Sequence, residues 1–178
     1  MFTKNWYRAL YNCMSNARKV QVVNLSGSFI ESNYYSQAVN TLLYTSASAT
    51  TASLYSLLNA TNSYGGVIFG TGTTPATEDD HNLSGELITT LSGSASITVT
   101  ADDNNGVVIT AVYPLTNTGS TAVTIGEMGL ICSSHNSGNN GASYKVMYER
   151  TVLDEPITIP AGGVGTVTYT LNLKLPGA

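Results

Sequence analysis

The chain has 178 residues, which is enough for one domain with a sizeable hydrophobic core. Only 10% of the residues are charged and the net charge is −4, so the chain lacks the excess of Lys and Arg that non-specific nucleic-acid binding requires. Because no Lys or Arg occurs between Lys19 and Lys145, a basic groove in the body of the protein is excluded and we expect no nucleic-acid partner.

The N-terminal segment and the cysteines bear on where the protein is made. The first residues are polar and aromatic and do not resemble a signal peptide. No apolar run reaches the length needed to cross a bilayer, so we expect no membrane partner. Cys13 and Cys132 lack metal-ligand spacing. These features predict a protein that is made in the cytoplasm and kept reduced there.

Residues 3–18 have the pattern of a short amphipathic helix. Thr3 is a suitable N-cap, and Trp6, Leu10 and Met14 fall on one face together with smaller residues. Two interpretations remain open for this face. The helix packs on its own domain, or it docks on a neighbouring subunit with Trp6, Leu10 and Met14 as contact residues.

The remainder of the N-terminal region is harder to interpret. Val20 to Ile30 has the composition of a strand, whereas residues 34–63 are rich in Ser, Thr, Ala and Tyr and their structure is left open. We predict that residues 1–64 form an N-terminal helix and extended arm used for subunit contacts. Residues 65–178 then form a separate β-domain.

From Gly65 onward, apolar and polar residues alternate in short runs separated by turns rich in Gly, Asn and Pro. Several strands at roughly ten-residue spacing are typical of an antiparallel sandwich. The sequence therefore predicts an all-β fold, an antiparallel β-sandwich with a short N-terminal helix or arm. The predicted strands are 65–69, 86–91, 94–101, 107–115, 122–132, 144–152, 156–159 and 164–173.

Residues that could carry chemistry are few. The Gly70–Gly72 turn lacks the pattern of a phosphate-binding loop. The acidic runs Glu78–His81 and Asp102–Asn104 do not match an EF-hand, and turn chemistry explains them, with a weak Ca²⁺ site as the alternative. His81 and His135 have no nucleophile motif nearby. We therefore predict no catalytic residues, no metal site and no cofactor.

Glu127 and Arg150 form the one structural pair that we predict from the residues. Gly126 and Gly129 flank the glutamate and permit either a bulge or a close approach of another backbone segment. Glu127 then accepts hydrogen bonds from neighbouring backbone or pairs with Arg150 across strands. The pair is a hypothesis based on two lone charges in adjacent β-segments.

The order of the segments in the body resembles a domain that recurs in virion proteins of tailed bacteriophages, including tail-fibre and collar proteins. The resemblance covers about residues 65–175 and is built from turn glycines and alternating strands. The segments that carry it are a Gly-Thr-Gly-Thr-Thr-Pro turn at Gly70–Pro75, an acidic loop with Asp79, Asp80 and Leu83, the turn Leu115–Thr121, the strand Thr124–Leu130, the Arg-bearing strand Arg150–Val152 and the final strand Val164–Leu173.

The resemblance implies a structural role without catalytic residues. We therefore expect a non-enzymatic component of the virion, assembled through contacts with copies of itself and with other virion proteins, and associated with the tail or neck. Two alternatives stay open: a capsid decoration protein, and a receptor- or glycan-binding adhesin module of the fibre type.

Overall fold

A computed structural model of the protein describes residues 1–8, 20–32, 65–102, 106–136 and 142–174. Within these ranges the chain is mostly β-structure, with one helical segment at residues 4–8, and its sheets are antiparallel. The predicted all-β class with a short N-terminal helix is confirmed. The strands are β1 (Val20–Val23), β2 (Phe29–Ser32), β3 (Gly65–Gly70), β4 (Leu91–Ser92), β5 (Ser96–Asp102), β6 (Gly106–Asn117), β7 (Val123–Asn136), β8 (Ala142–Ile159) and β9 (Val164–Lys174).

The chain divides into two compact units. The first comprises Met1–Thr89 and Thr124–Ile157, and the second comprises Thr90–Val123 and Thr158–Ala178. Residues 33–64 lie outside the described residues, so the predicted role of 1–64 as a separate contact region stays a prediction.

The first unit contains a three-stranded sheet in the order β3-β7-β8 and the β1–β2 hairpin. Its central strand, β7, is buried without interruption from Ile125 to Ile131. Strand β3 pairs with it in one unbroken register, from Gly65 opposite Cys132 to Gly70 opposite Glu127. A bulge at Gly129 is therefore absent along this pairing.

The prediction of one strand from Val20 to Ile30 is wrong, because the chain turns back between β1 and β2. The side-chain oxygen of Asn24 accepts hydrogen bonds from the Ser26 and Ser28 backbone N–H groups at 3.1 and 2.9 Å. Gly27 adopts a positive φ of 80°, which a residue with a side chain rarely tolerates. The Asn-Leu-Ser-Gly-Ser composition of this segment is typical of a turn, and that signal outweighs the apolar residues around it.

Strand β8 is longer than the sequence predicts. Residues 144–152 and 156–159 belong to one continuous strand, and β7 and β8 extend into the segment 133–143 between the predicted strands 122–132 and 144–152. Pro156 is compatible with this arrangement because β8 is the terminal strand in the order β3-β7-β8, and edge strands are where sheets accommodate proline.

The first residues of the chain cover part of the free edge of β8. Phe2 forms a β-bridge with Glu149, and the Thr3 N–H donates to the Tyr148 carbonyl at 3.0 Å. The Arg150 N–H donates to the Met1 carbonyl at 3.1 Å. These bonds satisfy backbone groups that an edge strand otherwise leaves exposed.

The second unit is built around β6, which pairs with β9 along one edge and with β4 and β5 along the other. Strands β4 and β5 pair with β6 in one continuous register, and the three residues between them, 93–95, are not paired. That gap lies opposite Pro114, which has no N–H to donate. One face of this sheet is buried in the period-two pattern of a strand, through Ile109, Ala111, Tyr113, Leu115, Val167, Tyr169 and Leu171.

Candidate functional site

The feature that stands out in the first unit is a buried carboxylate in the middle of β7. Glu127 has no exposed surface, and it lies opposite Gly70, the last residue of β3. Since an isolated buried charge is strongly unfavourable, the groups around the Glu127 carboxylate decide whether this position is tolerated.

Both oxygens of Glu127 accept hydrogen bonds from the loop that follows β3. Oε1 accepts from the backbone N–H groups of Gly72 at 3.1 Å and Gly85 at 2.7 Å. Oε2 accepts from the Ser84 backbone N–H at 3.1 Å and from the Ser84 hydroxyl at 3.2 Å. The carboxylate thus replaces water with donors from two short segments that are close to each other in space.

Arg150 on β8 completes the coordination of the glutamate. Its Nε donates to Glu127 Oε2 at 2.6 Å, and the arginine itself is only 1% exposed. The structure therefore brings together the two residues that the sequence suggested as a pair.

The guanidinium group of Arg150 reaches beyond Glu127 into the same loop. Nη1 donates to Asp80 Oδ2 at 2.8 Å, and Nη2 donates to the Thr74 carbonyl at 2.7 Å and to the Ser84 hydroxyl at 2.6 Å. Each nitrogen of the guanidinium therefore has an acceptor, which is the condition for burying an arginine at acceptable cost.

Asp80 joins the cluster from the acidic run. It accepts hydrogen bonds from the Thr77 N–H at 2.8 Å and the Thr77 hydroxyl at 3.0 Å, and it forms an ion pair with Arg150. Its neighbour Asp79 pairs instead with Lys4 at 2.6 Å, on the surface. The acidic run is thus used in a turn and in ion pairs.

The glycines around the carboxylate are required by close contacts. A Cβ on Gly72 would lie 2.3 Å from Glu127 Oε1, and a Cβ on Gly85 would lie 2.3 Å from the Gly72 nitrogen. A Cβ on Gly126 would lie 2.5 Å from the Gly72 carbonyl oxygen. Of the two roles that the sequence left open for Gly126, the structure shows the close backbone approach.

Electrostatic interactions keep both carboxylates of the cluster ionised. Burial acts to raise the pKa of Glu127, but the N–H groups of Gly85 and Ser84 and the Arg150 guanidinium outweigh it and hold that pKa below its ordinary value. Burial also acts to raise the pKa of Asp80, and the hydrogen bonds from Thr77 and Arg150 outweigh it in the same way.

This arrangement is suited to holding a loop in place. Glu127 accepts from five donors of the protein itself and is fully buried, so it has no free lone pair to offer a substrate proton. The Gly70–Gly72 turn, considered above as a phosphate-binding loop, directs the Gly72 N–H at this internal carboxylate. We name the set Gly72, Asp80, Ser84, Gly85, Glu127 and Arg150 the Glu127–Arg150 cluster.

A second buried polar group, Asn117, lies at the end of β6 in the second unit and was not singled out by sequence reasoning. Its Nδ2 donates to the carbonyls of Thr121, Ile159 and Pro160 at 2.8, 3.1 and 3.1 Å. Its Oδ1 accepts from the Gly119 N–H at 3.0 Å. Asn117 thus ties two turns together, and an Asn before a Gly-Ser turn was the available signal.

Of the three predicted N-terminal contact residues, Trp6 lies within the described ranges. Trp6 is 7% exposed, stacks on Phe2 with ring centroids 4.5 Å apart and meets Tyr148 edge-on at 6.0 Å. It is a core residue of its own unit, as in the first of the two interpretations of this helix, and its use as a contact residue for a neighbouring subunit stays a prediction. Leu10 and Met14 lie outside the described residues.

Asn5, on the same helical segment, was missed by the sequence analysis. It is 2% exposed and its side chain exchanges two hydrogen bonds with the backbone of Val23 on β1, at 2.8 and 2.9 Å. Its Nδ2 also donates to the Met147 carbonyl on β8 at 3.2 Å. An isolated Asn in a helix carries no sequence signal for such a role.

In the part of the chain that the structure describes, no group of three or more His, Cys, Asp or Glu side chains is placed to hold a metal ion. No helix there is long and apolar enough to span a membrane. The side chains of Cys132 and His135, and residues Cys13 and 103–105, lie outside the description.

Comparisons of the chain with protein-family models, with curated proteins and with solved structures found no match.

Proposed function

We propose that this chain is a non-enzymatic structural component of a tailed-phage virion, associated with the tail or neck and assembled through repeated subunit contacts. One observation carries the proposal. Four of the segments on which the resemblance is based, the Gly70–Pro75 turn, the acidic loop, the Thr124–Leu130 strand and the Arg150 strand, meet at the Glu127–Arg150 cluster.

The chemistry of the cluster supports a scaffold role. The Glu127 carboxylate accepts hydrogen bonds from the Gly72 N–H and from Arg150, and Arg150 also donates to the Thr74 carbonyl. These groups are therefore bonded within the domain. A motif of this kind determines how a domain folds and leaves its contact surfaces free to differ between proteins. That division suits a domain that serves as a building block in several virion components.

The composition of the surface supports repeated subunit contacts. Along β9 the outward positions Thr166, Thr168, Thr170 and Asn172 are all exposed and uncharged. Charged residues are depleted at the centre of protein interfaces because their desolvation is costly. A chain with only 10% charged residues therefore offers much surface that a neighbouring subunit can cover.

The direct test is to look for the protein in purified particles. Virions from cells that produce the chain are banded on a density gradient and analysed by mass spectrometry, with an abundant host cytoplasmic protein as the contamination control. We expect peptides of the chain to follow the particle band and to persist after a high-salt wash. A cryo-EM map is expected to show its density at the tail or neck.

Two outcomes would contradict the proposal. Absence of the chain from washed particles would remove the structural role altogether. Density on the capsid surface would instead make the protein a decoration protein and overturn the tail or neck assignment.

A further inference from the structure

The sheet of the second unit ends in two strands that have no further partner among the described residues, β5 and β9. Their inward-facing side chains differ sharply in exposure. In the row that crosses the sheet, Leu171 on β9 is 5% exposed, Ile109 on β6 is 6% exposed and Val99 on β5 is 56% exposed. The apolar row thus continues to the β5 edge and ends there uncovered.

The backbone of β5 is oriented to accept another strand. The Asn117 N–H donates to the Gly163 carbonyl, and the Asn117 carbonyl accepts from the Gly162 N–H, both on the β9 side of β6. Because the register along β6 is unbroken, the backbone N–H and C=O groups of the odd-numbered residues of β6 point toward β9. Even-numbered residues of β6 therefore bond to even-numbered residues of β5. The N–H and C=O groups of Ile97, Val99 and Ala101 consequently face away from β6.

The β5 edge also lacks the features by which proteins block strand addition. Edge strands are usually protected by a Lys, a Pro, a bulge or an inward-pointing charge. Strand β5 contains no proline, its register with β6 has no bulge, and its one charged residue, Asp102, is at its end, three residues from Val99. By contrast, Met1–Thr3 cover part of the free edge of β8 in the first unit.

We propose that β5 pairs antiparallel with β5 of a second copy of this chain, about a twofold axis at Val99. The contact deepens the proposed function and rests on it, because it names one of the subunit contacts that assembly requires. The partner is a second copy because the sequence of β5 is nearly symmetric about Val99.

The symmetry gives a favourable pair at each central position. With Val99 opposite Val99 of the second copy, Thr98 lies opposite Thr100 and Ile97 lies opposite Ala101. Apolar residues then meet apolar residues on one face of the joined sheet, and threonines meet on the other, as in stable cross-strand pairs. The two Val99 residues form a hydrogen-bonded pair in this register, so the outward N–H and C=O of each are both bonded.

Sedimentation velocity of the purified full chain over a wide range of concentrations tests the proposal. We expect a monomer–dimer equilibrium for the natural chain. Val99→Lys places two charges at the axis and is expected to abolish the dimer. Val99→Pro is expected to do the same, because it removes only the outward-facing N–H and leaves the β5–β6 ladder intact.

Val164→Lys is the matched control, since Val164 is an exposed valine, at 67%, at the start of β9 and away from the β5 edge. This variant is expected to dimerise like the natural chain. Thermal unfolding identifies any variant that has lost its fold, and having both Val99→Lys and Val99→Pro keeps one folded probe of the edge.

Hydrogen exchange of the Val99 amide provides a second readout. We expect rapid exchange in the monomer and protection in the dimer. The proposal is overturned if the natural chain stays monomeric, if both Val99 variants dimerise normally, or if Val99 is already protected in the monomer. If the chain is found in virions but fails these tests, the proposed function stands and the β5 contact is ruled out. If the chain forms a β5-dependent dimer but is absent from virions, the contact stands and the proposed function is ruled out.

Discussion

At the scale of single residues, Glu127 shows how a buried charge is made compatible with a β-sheet core. Removing a carboxylate from water costs several kcal/mol, and only close pairing with satisfied hydrogen bonds offsets that cost. Here Arg150 supplies the opposite charge at 2.6 Å, and the Gly72, Ser84 and Gly85 N–H groups supply the remaining donors. The consequence is that removing Arg150 leaves the Glu127 carboxylate buried without a counter-charge, and removing Glu127 leaves Arg150 with Asp80 as its one remaining counter-charge in the cluster.

We expect Glu127→Gln to lower the free energy of unfolding by about 3 kcal/mol, the usual cost of breaking a buried ion pair from one side. The amide keeps the size of the side chain but presents an N–H₂ group to a site in which four of the five neighbouring groups are N–H donors. Urea denaturation of the purified chain measures the loss.

Glu86→Gln is the matched control, because Glu86 lies on the same loop and is exposed. It is expected to change stability by no more than about 0.5 kcal/mol. Equal stability of the Glu127→Gln variant and the natural chain would show that the pair contributes nothing to the fold.

At the scale of elements, the contact between β7 and the Gly70–Pro75 turn depends on the absence of a side chain at residue 126. Gly126→Ala would place its Cβ 2.5 Å from the Gly72 carbonyl oxygen and 2.9 Å from the Thr71 carbonyl oxygen. Both are backbone atoms, so the turn itself must move. We expect a loss of roughly 1–3 kcal/mol in denaturant unfolding, as is typical of overpacking.

Gly129→Ala, three residues further along β7, serves as the comparison. Its Cβ would meet the terminal methyl group of Met147 at 2.6 Å, which is the flexible end of a side chain. We expect the smaller loss of stability at Gly129. The reverse order would contradict a tight contact between β7 and the turn.

The N-terminal segment acts as part of the first unit, because Trp6 packs between Phe2 and Tyr148. We expect Trp6→Ala to lower the free energy of unfolding by roughly 3–5 kcal/mol, the range for deleting a large buried aromatic side chain. Thermal or urea unfolding of the isolated chain measures this.

The neighbouring residue, Tyr7, is 55% exposed and provides the control. Tyr7→Ala is expected to leave stability within about 0.5 kcal/mol. A Trp6→Ala variant of unchanged stability would contradict the place of Trp6 in the core of the first unit.

At the scale of the whole molecule, the Glu127–Arg150 cluster makes the free energy of unfolding depend on pH. The pKa values of Glu127 and Asp80 are held below their ordinary values of 4.5 and 3.8. Groups with lowered pKa values stabilise the folded state above the ordinary value, and that stabilisation is lost as the pH falls through the folded-state pKa. The chain is therefore expected to lose stability as the pH falls below about 4.5.

The difference between the natural chain and Glu127→Gln tests this dependence. Since the variant lacks one of the two carboxyls, its stability is expected to fall less steeply with acid, and the gap between the two proteins is expected to narrow. Urea midpoints measured from neutral pH downward check the result. A gap that stays constant with pH would rule out the ionised carboxylate as the stabilising group.

The sequence by itself determined the all-β class, most strand positions in the body and the pairing hypothesis for Glu127 and Arg150. These follow from local chemistry, because period-two alternation and turn residues act over a few neighbouring positions. It missed the turn at Asn24–Ser28 and predicted a break within β8, which is one continuous strand. In both places local signals compete.

Only the tertiary structure decided which distant groups meet. Ser84 and Gly85 lie more than 40 residues from Glu127 along the chain, and they reach it because the register of β3 on β7 fixes where the following loop lies. The burial of Trp6 likewise depends on how the first residues pair with β8. The physical reason is that sheet register transmits position between strands that no short stretch of sequence contains together.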